Sequence, residues 1–346
     1  MSKAILVTGG LGFIGSNFIE QLIQKQTDIS IVNLDKMTYA SNITNSHHFK
    51  NNSRYTMVRG DICDPRTLAW IFEKHNIQHV IHFAAESHVD NSITGPEAFI
   101  QTNCVGTFML LEQARQSWLT KTEHDLKSVS DNLFLHVSTD EVFGQLTMEQ
   151  DAFSEETAYD PSSPYSASKA SSDLIVKSYF RTYGLKTIVT NCSNNYGPHQ
   201  HKEKLIPTII RSALKGHRIP IYGDGTNIRD WIFVKDHCNA LIKIMKEGIP
   251  GERYNIGGSC EKSNMDIAKQ ICAILDEITP KKDQTSYRTQ IEFVKDRPGH
   301  DFRYAVNTAK IKQTIGWVPE TAFSDGLKST IEWYLNHPEY LYESSP

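Results

Sequence analysis

The stretch that most constrains this chain is its N-terminus, where a strand, a glycine turn and a helix follow one another without a gap. Ala4–Thr8 reads as a buried strand of the parallel type. Gly9, Gly12 and Gly15 come next, and from Ser16 to Lys25 the residues Phe18, Ile19, Leu22 and Ile23 recur on one helical face. A lone glycine triplet is a weak signal, but this setting gives it a physical meaning. Glycines let a backbone approach a pyrophosphate, and the helix N-terminus offers it free N–H groups and positive potential. A second strand, Ser30–Leu34, ends at Asp35, twenty residues after Gly15. An acid there accepts hydrogen bonds from an adenosine ribose diol and repels a 2′-phosphate, which favours NAD over NADP. Lys36 beside it weakens the repulsion.

Further strand-like runs follow at Tyr55–Gly60, His79–Ala85, Leu133–Ser138 and Thr187–Asn191. A long amphipathic helix is expected over Phe99–Arg115, and a second helix opens at Ser162-Ser163-Pro164 and runs to Tyr183. Strands alternating with helices over short connections make a doubly wound, Rossmann-type parallel sheet of the α/β class, which binds ligands at the C-terminal ends of its strands. After Pro198 strands become fewer and glycine loops more frequent. The expectation is a nucleotide-binding domain over 1–195 and a smaller C-terminal α/β substrate domain over 196–346, with segments near 230–258 and 313–335 returning to the first. Asp230–Val234 and Tyr254–Gly257 are expected to rejoin the main sheet as strands. Thr120–Asn132 is expected as a surface insertion and Pro280–Thr289 as a loop.

The chemistry concentrates between His136 and Lys169. Thr139, Asp140 and Glu141 stand where the strand 133–138 stops in polar residues. Tyr165 and Lys169 are four apart, so they share one face of the following helix. An ammonium beside a phenol favours phenolate and lowers the tyrosine from its usual value of about 10. Two adjacent carboxylates in a dry pocket push one of their pKa values up, which suits one acid and one base.

Composition excludes several classes. The 346 residues carry a net charge of −4, against nucleic-acid or anionic-membrane partners. No run approaches the roughly 20 apolar residues of a membrane span, and no leader pattern precedes the first strand, so a cytoplasmic protein is expected. Six scattered cysteines read as reduced small hydrophobes. The fourteen histidines form no metal-ligand spacing; His47-His48 and His199/His201 are expected to be solvated loop residues, and no metal is expected.

Motifs spread over nearly the whole chain resemble those of the extended short-chain dehydrogenase/reductases that act on nucleotide sugars, most closely the dTDP-glucose 4,6-dehydratase family. They are the G-x-x-G-x-x-G loop, 35–40, Ala85-Glu-Ser-His-Val-Asp90, Ser138-Thr-Asp-Glu-Val142, Tyr165-x-x-x-Lys169, 191–198, 203–207, Arg229-Asp-Trp231, 254–258, 296–301 and Gly316-Trp-x-Pro319. The Asp140-Glu141 pair separates this family from the related 4-epimerases and decarboxylases. This chain departs from the family's pattern at Leu11, Asn91 and Phe143, where Ala, Arg and Tyr are usual.

The resemblance implies oxidation at C4 of the hexose, elimination of water across C5 and C6, and hydride return to C6. Tyr165 would take the 4-hydroxyl proton with Lys169 behind it, Thr139 would hold the C4 oxygen, Glu141 would remove the C5 proton and Asp140 would protonate the leaving 6-hydroxyl. It implies an NAD site of Gly9, Gly12, Phe13, Ile14, Gly15, Asp35, Lys36, Met37, Thr38, Asp61, Ile62, Phe83, Ala84, Ala85, Ser87, Thr102 and Asn195, with Tyr165 and Lys169. For the dTDP-sugar it implies Ser87, Thr139, Asn194, Lys204, Leu205, Pro220, Tyr222, Arg229, Asn264, Arg297 and His300, the two arginines as diphosphate clamps. It also implies a homodimer built on the helices 99–115 and 163–183. A UDP-sugar 4,6-dehydratase, a 4-epimerase and a non-catalytic NAD-binding regulator are the competing readings.

Overall fold

The computed structural model describes residues 3–121, 126–128, 132–296 and 298–342. In chain order the strands are β1 (Lys3–Thr8), β2 (Ser30–Asp35), β3 (Tyr55–Arg59), β4 (Asn76–His82), β5 (Leu119–Lys121), β6 (Leu126–Ser128), β7 (Leu133–Thr139) and β8 (Thr187–Cys192). They continue with β9 (Asn194–Tyr196), β10 (Ile219–Tyr222), β11 (Ile228–Phe233), β12 (Arg253–Ile256), β13 (Glu261–Ser263), β14 (Ile291–Val294) and β15 (Arg303–Tyr304). The helices are α1 (Phe13–Lys25), α2 (Pro65–Lys74), α3 (Val89–Thr94), α4 (Pro96–Phe99), α5 (Thr107–Trp118) and α6 (Pro164–Tyr183). The later ones are α7 (Leu205–Leu214), α8 (Val234–Glu247), α9 (Asn264–Ile278), α10 (Ala309–Ile315) and α11 (Phe323–Asn336).

Seven strands form one parallel sheet in the order β12-β8-β7-β4-β1-β2-β3. Its middle strands are buried on both faces, which explains their nearly unbroken apolar runs. Successive side chains of β1 enter opposite layers: Ile5 and Val7 pack with Phe18, Ile19 and Leu22 of α1, while Ala4 and Leu6 pack with Leu110, Leu111 and Trp118 of α5. The C-terminal part returns to the first layer through α8, whose Cys238, Leu241 and Ile244 lie in the same cluster as Phe18.

Tyr254–Gly257 joins the main sheet as expected, with β12 running parallel to β8. Asp230–Val234 does not. Asp230–Phe233 belong to β11, which pairs with β9, β13 and β15 in a separate small sheet, and Val234 opens α8. The physical reason is that β11 lies between two cores. Trp231 and Phe233 enter the cluster that holds Ile209 and Ile271, and Ile232, with Val234 just beyond the strand, enters that of the main sheet, so the apolar pattern suits either neighbour. The segment 313–335 is divided in the same way: Ile315 and Trp317 pack under the main sheet, whereas Leu327, Ile331 and Tyr334 pack with Ile209 of α7 and Ile271 of α9.

The expected helix over Phe99–Arg115 is helical from Pro96 to Trp118 but widens into a π-type stretch at Ile100–Gly106. Asn103 sits there, accepting from the Glu86 N–H (2.9 Å) and donating to the Glu86 carbonyl and the Ser168 hydroxyl. π-type bulges of this kind recur beside functional sites. Helix α6 begins with a reciprocal Ser163/Ser166 capping box and Pro164 in its first turn, and ends at Gly184 with φ +68°. Of Thr120–Asn132, residues 122–125 and 129–131 lie outside the described residues; β5 and β6 form an antiparallel pair. His199 is not solvated: it is buried, within 3.1 Å of the Ser16 hydroxyl and stacked on Tyr340. Cys192, Cys238 and Cys272 are buried and the other three cysteines partly so. No helix among the described residues is long and apolar enough to cross a membrane.

Candidate active site

A cavity of about 320 Å³ opens at the C-terminal ends of the main-sheet strands. One half of it is made by the glycine turn. Gly9 has φ +74°, and a Cβ on Gly15 would stand 2.4 Å from the Gly9 carbonyl oxygen, so neither position admits a side chain. Gly12 precedes α1 without a side-chain cap, which leaves the first-turn N–H groups of that helix facing the cavity. Asp35, at the end of β2, accepts from the Leu11 N–H (2.9 Å) on Oδ2 and from the Met37 N–H (2.8 Å) and the Ser41 hydroxyl (2.6 Å) on Oδ1. A carboxylate has about four acceptor positions, so one remains on Oδ2. Lys36 forms an ion pair with Asp61 at 2.7 Å. Uncapped helix N–H groups and a carboxylate with an acceptor position left fit a dinucleotide that presents its pyrophosphate to α1 and its ribose to Asp35.

Of the residues expected at the cofactor, all but Met37 line this cavity: the glycine loop with Phe13 and Ile14, Asp35, Lys36, Thr38, Asp61, Ile62, Phe83, Ala84, Ala85, Ser87, Thr102, Asn195, Tyr165 and Lys169. Met37 has a left-handed backbone conformation, φ 60°. The widened helix 100–106 places Thr102 at the wall.

Thr139, Asp140, Glu141, Tyr165 and Lys169 converge at the other end. β7 delivers Thr139, and a single 3₁₀ turn at Asp140–Phe143 follows, capped by Thr139, whose hydroxyl accepts from the Glu141 N–H at 3.2 Å. Asp140 is 2% exposed, its Oδ1 accepts from the Thr139 hydroxyl at 3.3 Å, and its Oδ2 has no hydrogen-bond partner among the described residues. Burial, then the neighbouring charges of Glu141 and Asp230, push the Asp140 carboxyl well above the usual carboxylate range.

Tyr165 departs from the sequence expectation. Burial, followed by the charges of Glu141, Cys192 and Asp140, pushes its phenol up rather than down. The Lys169 ammonium donates to the Val137 carbonyl at 2.9 Å, and burial lowers its own pKa against the opposing charge of Asp173. Helical spacing therefore put the pair on one face, but it gave no measure of desolvation.

Behind this cluster lies a buried polar layer that no motif announced. Asp173, one helical turn after Lys169, accepts from the Tyr159 hydroxyl (2.8 Å) and from Asn191 Nδ2 (3.1 Å), and its Oδ1 is 3.2 Å from His136 Nε2. Asn191 also donates to the Thr139 carbonyl at 3.0 Å, tying β8 to the end of β7. Burial pushes the His136 imidazole down to about 4. The i, i+4 spacing from Lys169 was the one sequence signal for Asp173. Glu86, Gln200, His201 and Glu203 also line the cavity, Glu86 and Glu203 from stretches already named for their motifs.

The residues expected at the sugar nucleotide divide. Ser87, Thr139, Asn194 and Lys204 line the cavity, and Lys204 Nζ donates to the Ser87 carbonyl at 3.3 Å. Leu205, Pro220, Tyr222, Arg229, Asn264 and His300 lie outside it. Arg297 lies outside the described residues. Arg229 is buried; it donates to the carbonyls of Ile228 (2.7 Å), Asp301 (2.9 Å) and Phe302 (3.3 Å), and its guanidinium stacks 4.2 Å above the Tyr304 ring. His300 pairs with Asp296 at 2.6 Å beside the exposed Tyr222. Of the departures from the family pattern, Leu11 is fully buried, Phe143 packs with tilted rings against Phe153 and Tyr159, and Asn91 is exposed on α3.

The model of the family described as GDP-mannose 4,6 dehydratase matches residues 6–330. The chain is 51% identical over 346 residues to a dTDP-glucose 4,6-dehydratase of Escherichia coli, covering 97% of this chain and 94% of that one. It superposes on the crystal structure of dTDP-glucose 4,6-dehydratase from Bacillus anthracis in complex with NAD with a TM-score of 0.85, at 40% identity and 98% coverage of both chains. With the dTDP-glucose 4,6-dehydratase of Streptomyces venezuelae, solved with NAD bound, the TM-score is 0.87 at 39% identity, covering 98% and 99%.

Proposed function

The chain belongs to the dTDP-glucose 4,6-dehydratase family, and from that premise we infer that it carries out the family's reaction, the NAD-dependent conversion of dTDP-glucose to dTDP-4-keto-6-deoxyglucose. It is a hydro-lyase. Bound with its pyrophosphate at α1 and its ribose at Asp35, NAD supplies the hydride acceptor for C4 and the donor for C6. The observation that carries the reading is the buried Asp140 beside the half-buried Glu141 in one cavity with Tyr165 and Lys169, the Asp140 carboxyl being pushed well above the usual carboxylate range.

In this reading Tyr165 takes the 4-hydroxyl proton and Thr139 hydrogen-bonds the C4 oxygen as it becomes a carbonyl. The ketone makes the C5 proton removable, because the carbanion is then an enolate. Glu141 removes that proton, and Asp140 protonates the 6-oxygen so that it leaves as water. A 4-epimerase has no leaving group to protonate and so no use for a buried carboxylic acid here. Ser87, Asn194 and Lys204 are assigned to the substrate; Leu205, Pro220, Tyr222, Asn264, Arg297 and His300 are assigned to its nucleotide end, on the second unit. We further propose a larger unit centred on the main sheet and a smaller one around β9–β11–β13–β15. Ile93, Ile100, Phe108 and Leu174, all exposed on or beside α3, α5 and α6, support a homodimer through those helices. A cytoplasmic location accords with this chemistry.

Incubation with dTDP-glucose and, separately, UDP-glucose tests the function. A 4-keto product seen by its absorbance in alkali from dTDP-glucose alone is the expected result. No product from either refutes the dehydratase reading, and equal rates refute the preference for thymidine. Denaturing the purified protein should release NAD, and a monomer mass at micromolar concentration would refute the dimer.

A further inference from the structure

The adenosine side of the cofactor cavity is closed by a loop in which none of residues 37–44 is fully buried. Thr38, Ala40 and Ser41 line the cavity, while Met37, Tyr39 and Ile43 are exposed. What holds this loop is polar. The Ser41 hydroxyl donates to Asp35 Oδ1 at 2.6 Å, and the Asn42 N–H and Asn45 Nδ2 both donate to the Leu11 carbonyl, at 3.1 and 2.8 Å. Leu11 belongs to the glycine turn, and its own N–H donates to Asp35 Oδ2 at 2.9 Å. The loop, the glycine turn and the ribose-binding carboxylate are thus one hydrogen-bonded unit.

The segment 333–342 reaches this unit from the other end of the sequence. The Tyr340 hydroxyl is hydrogen-bonded to that of Thr44 at 2.8 Å, across 296 positions. Thr44 passes the contact on, its N–H donating to Asn42 Oδ1 at 3.0 Å. The Tyr340 ring is itself held, stacked on His199 at 5.6 Å and edge-on to Trp333 at 4.6 Å. His199 is buried with φ +71°, a conformation that persists in a non-glycine residue only where the surroundings fix it. Its Nδ1 lies 3.1 Å from the Ser16 hydroxyl, in the first turn of α1. Tyr340 therefore touches the loop beside the ribose through its hydroxyl and, through His199, the helix that faces the pyrophosphate.

We propose that the turn Pro338–Tyr340 is a strap that keeps NAD in the site between turnovers, with Tyr340 as a positioning residue rather than a catalytic one. The reaction returns the cofactor to its oxidised form in every cycle, so no step calls for NAD to leave. A loop without buried apolar contacts opens readily, and its opening uncovers the ribose that Asp35 holds. The Tyr340–Thr44 pair ties the loop to a segment whose Tyr334 and Leu341 are fully buried, so opening must also break a contact to a packed core. This role deepens the dehydratase reading, on which it rests for the resident cofactor.

The test follows the loss of bound NAD from holoenzyme diluted into excess deuterated NAD, counted by mass spectrometry, in wild type, Tyr340→Phe, Thr44→Val and the double variant. Tyr340→Phe keeps the ring and its stacking and removes only the hydroxyl. It should release NAD about two- to tenfold faster, the range that one hydrogen bond supplies. Thr44→Val removes the same bond from the loop side, together with the 2.7 Å contact of its hydroxyl to Asn42 Oδ1, and should release NAD at least as fast. Adding Tyr340→Phe to it should change nothing further. With NAD supplied in excess, kcat and KM for dTDP-glucose should match wild type in all three variants, which a general loosening of the fold would not give. Release from Tyr340→Phe at the wild-type rate would overturn the strap. So would an undiminished effect of Tyr340→Phe in the Thr44→Val background, because the hydroxyl would then act elsewhere. A wild-type protein that carries no NAD would overturn the resident-cofactor reading, and the strap with it.

Discussion

The two walls of the cleft are held in place by different means. The main-sheet wall is a row of strand ends backed by apolar layers, and its polar groups sit where backbone N–H groups or an adjacent hydroxyl can meet them: Asp35 on the glycine turn, Thr139 on its own 3₁₀ turn. The second wall, the region around β11 beyond that cavity's lining, is held by charged side chains reaching backbone carbonyls. Arg229 donates to three of them, and Arg303 donates to the carbonyls of Thr147 and Gln150 and to both oxygens of Glu261. The walls meet at Asp140, whose carboxyl is influenced by Arg229 and Asp230 of β11. A group held by local backbone can change its chemistry with little cost to the fold, whereas a cation that ties its strand to separate segments cannot.

The largest effects should come from the first wall and should be chemical. Glu141→Gln is nearly isosteric, so the pocket should survive while the base is lost, with a fall of about 10²–10⁴-fold in product formation. Substrate should then produce a persistent NADH absorbance with little solvent deuterium at C5. Dehydration at a near-normal rate with C5 exchange intact would remove Glu141 as the base. Tyr165→Phe should lose the oxidation itself, and near-native turnover there would remove the phenol from the mechanism.

On the second wall the same kind of change should appear as lost stability. Arg229→Leu removes its contacts to the carbonyls of Ile228, Asp301 and Phe302, although Asn227 Nδ2 still donates to that of Asp301 and the Ile228 N–H to that of Phe302, and should cost about 1–3 kcal/mol in urea unfolding. If instead the fold is unaffected and only KM for dTDP-glucose rises, Arg229 is a diphosphate clamp rather than a tie between loops.

How much of each wall could be read in the sequence follows from the same contrast. The first is encoded by neighbours in the chain: Gly9 to Gly15, Asp35 at a strand end, Tyr165 and Lys169 one helical turn apart. Each local pattern also fixes a position in a parallel sheet, so 133–141 and 165–169 could be placed beside the glycine turn before any coordinates. The second wall is assembled from segments far apart. Pro220, Tyr222, Asn264 and His300 share no local pattern, and β11 was assigned to the wrong sheet because alternating apolar residues do not say which of two cores they face. The direction of the Tyr165 shift was illegible for another reason: it depends on desolvation by atoms from several elements, which no spacing reports.

A smaller effect, of opposite sign, tests the strain at the junction. The Asp140 carboxyl is raised in the folded protein, so the fold is least penalised below the unfolded value of about 4 and is penalised progressively as pH rises through the folded value. Asp140→Asn should abolish dehydration yet melt at a higher temperature than wild type at pH 7, with the gap closing toward pH 4. An unchanged or lower melting temperature at pH 7 would show that Asp140 is not under this strain.

The smallest effect concerns the ion pair of Lys36 with Asp61 at the rim of the first wall. Lys36 is exposed and Asp61 partly so, and such pairs contribute about 0–1 kcal/mol, so Asp61→Ala should hardly change the unfolding midpoint. Its effect should fall on cofactor choice. Asp35 presents a carboxylate to the ribose and repels a 2′-phosphate, but Lys36 is adjacent in sequence and would attract one if its charge were not matched. The hydrogen bond to Asp61 raises the Lys36 pKa, and the same bond helps to lower that of Asp61 against the effect of burial, so the pair stays ionised at neutral pH. Asp61→Ala should therefore shift the ratio of NAD to NADP recovered from denatured protein toward NADP, with Asp35 limiting the shift. A ratio unchanged from wild type would mean that Asp35 alone sets the preference and that the rim pair contributes nothing to it.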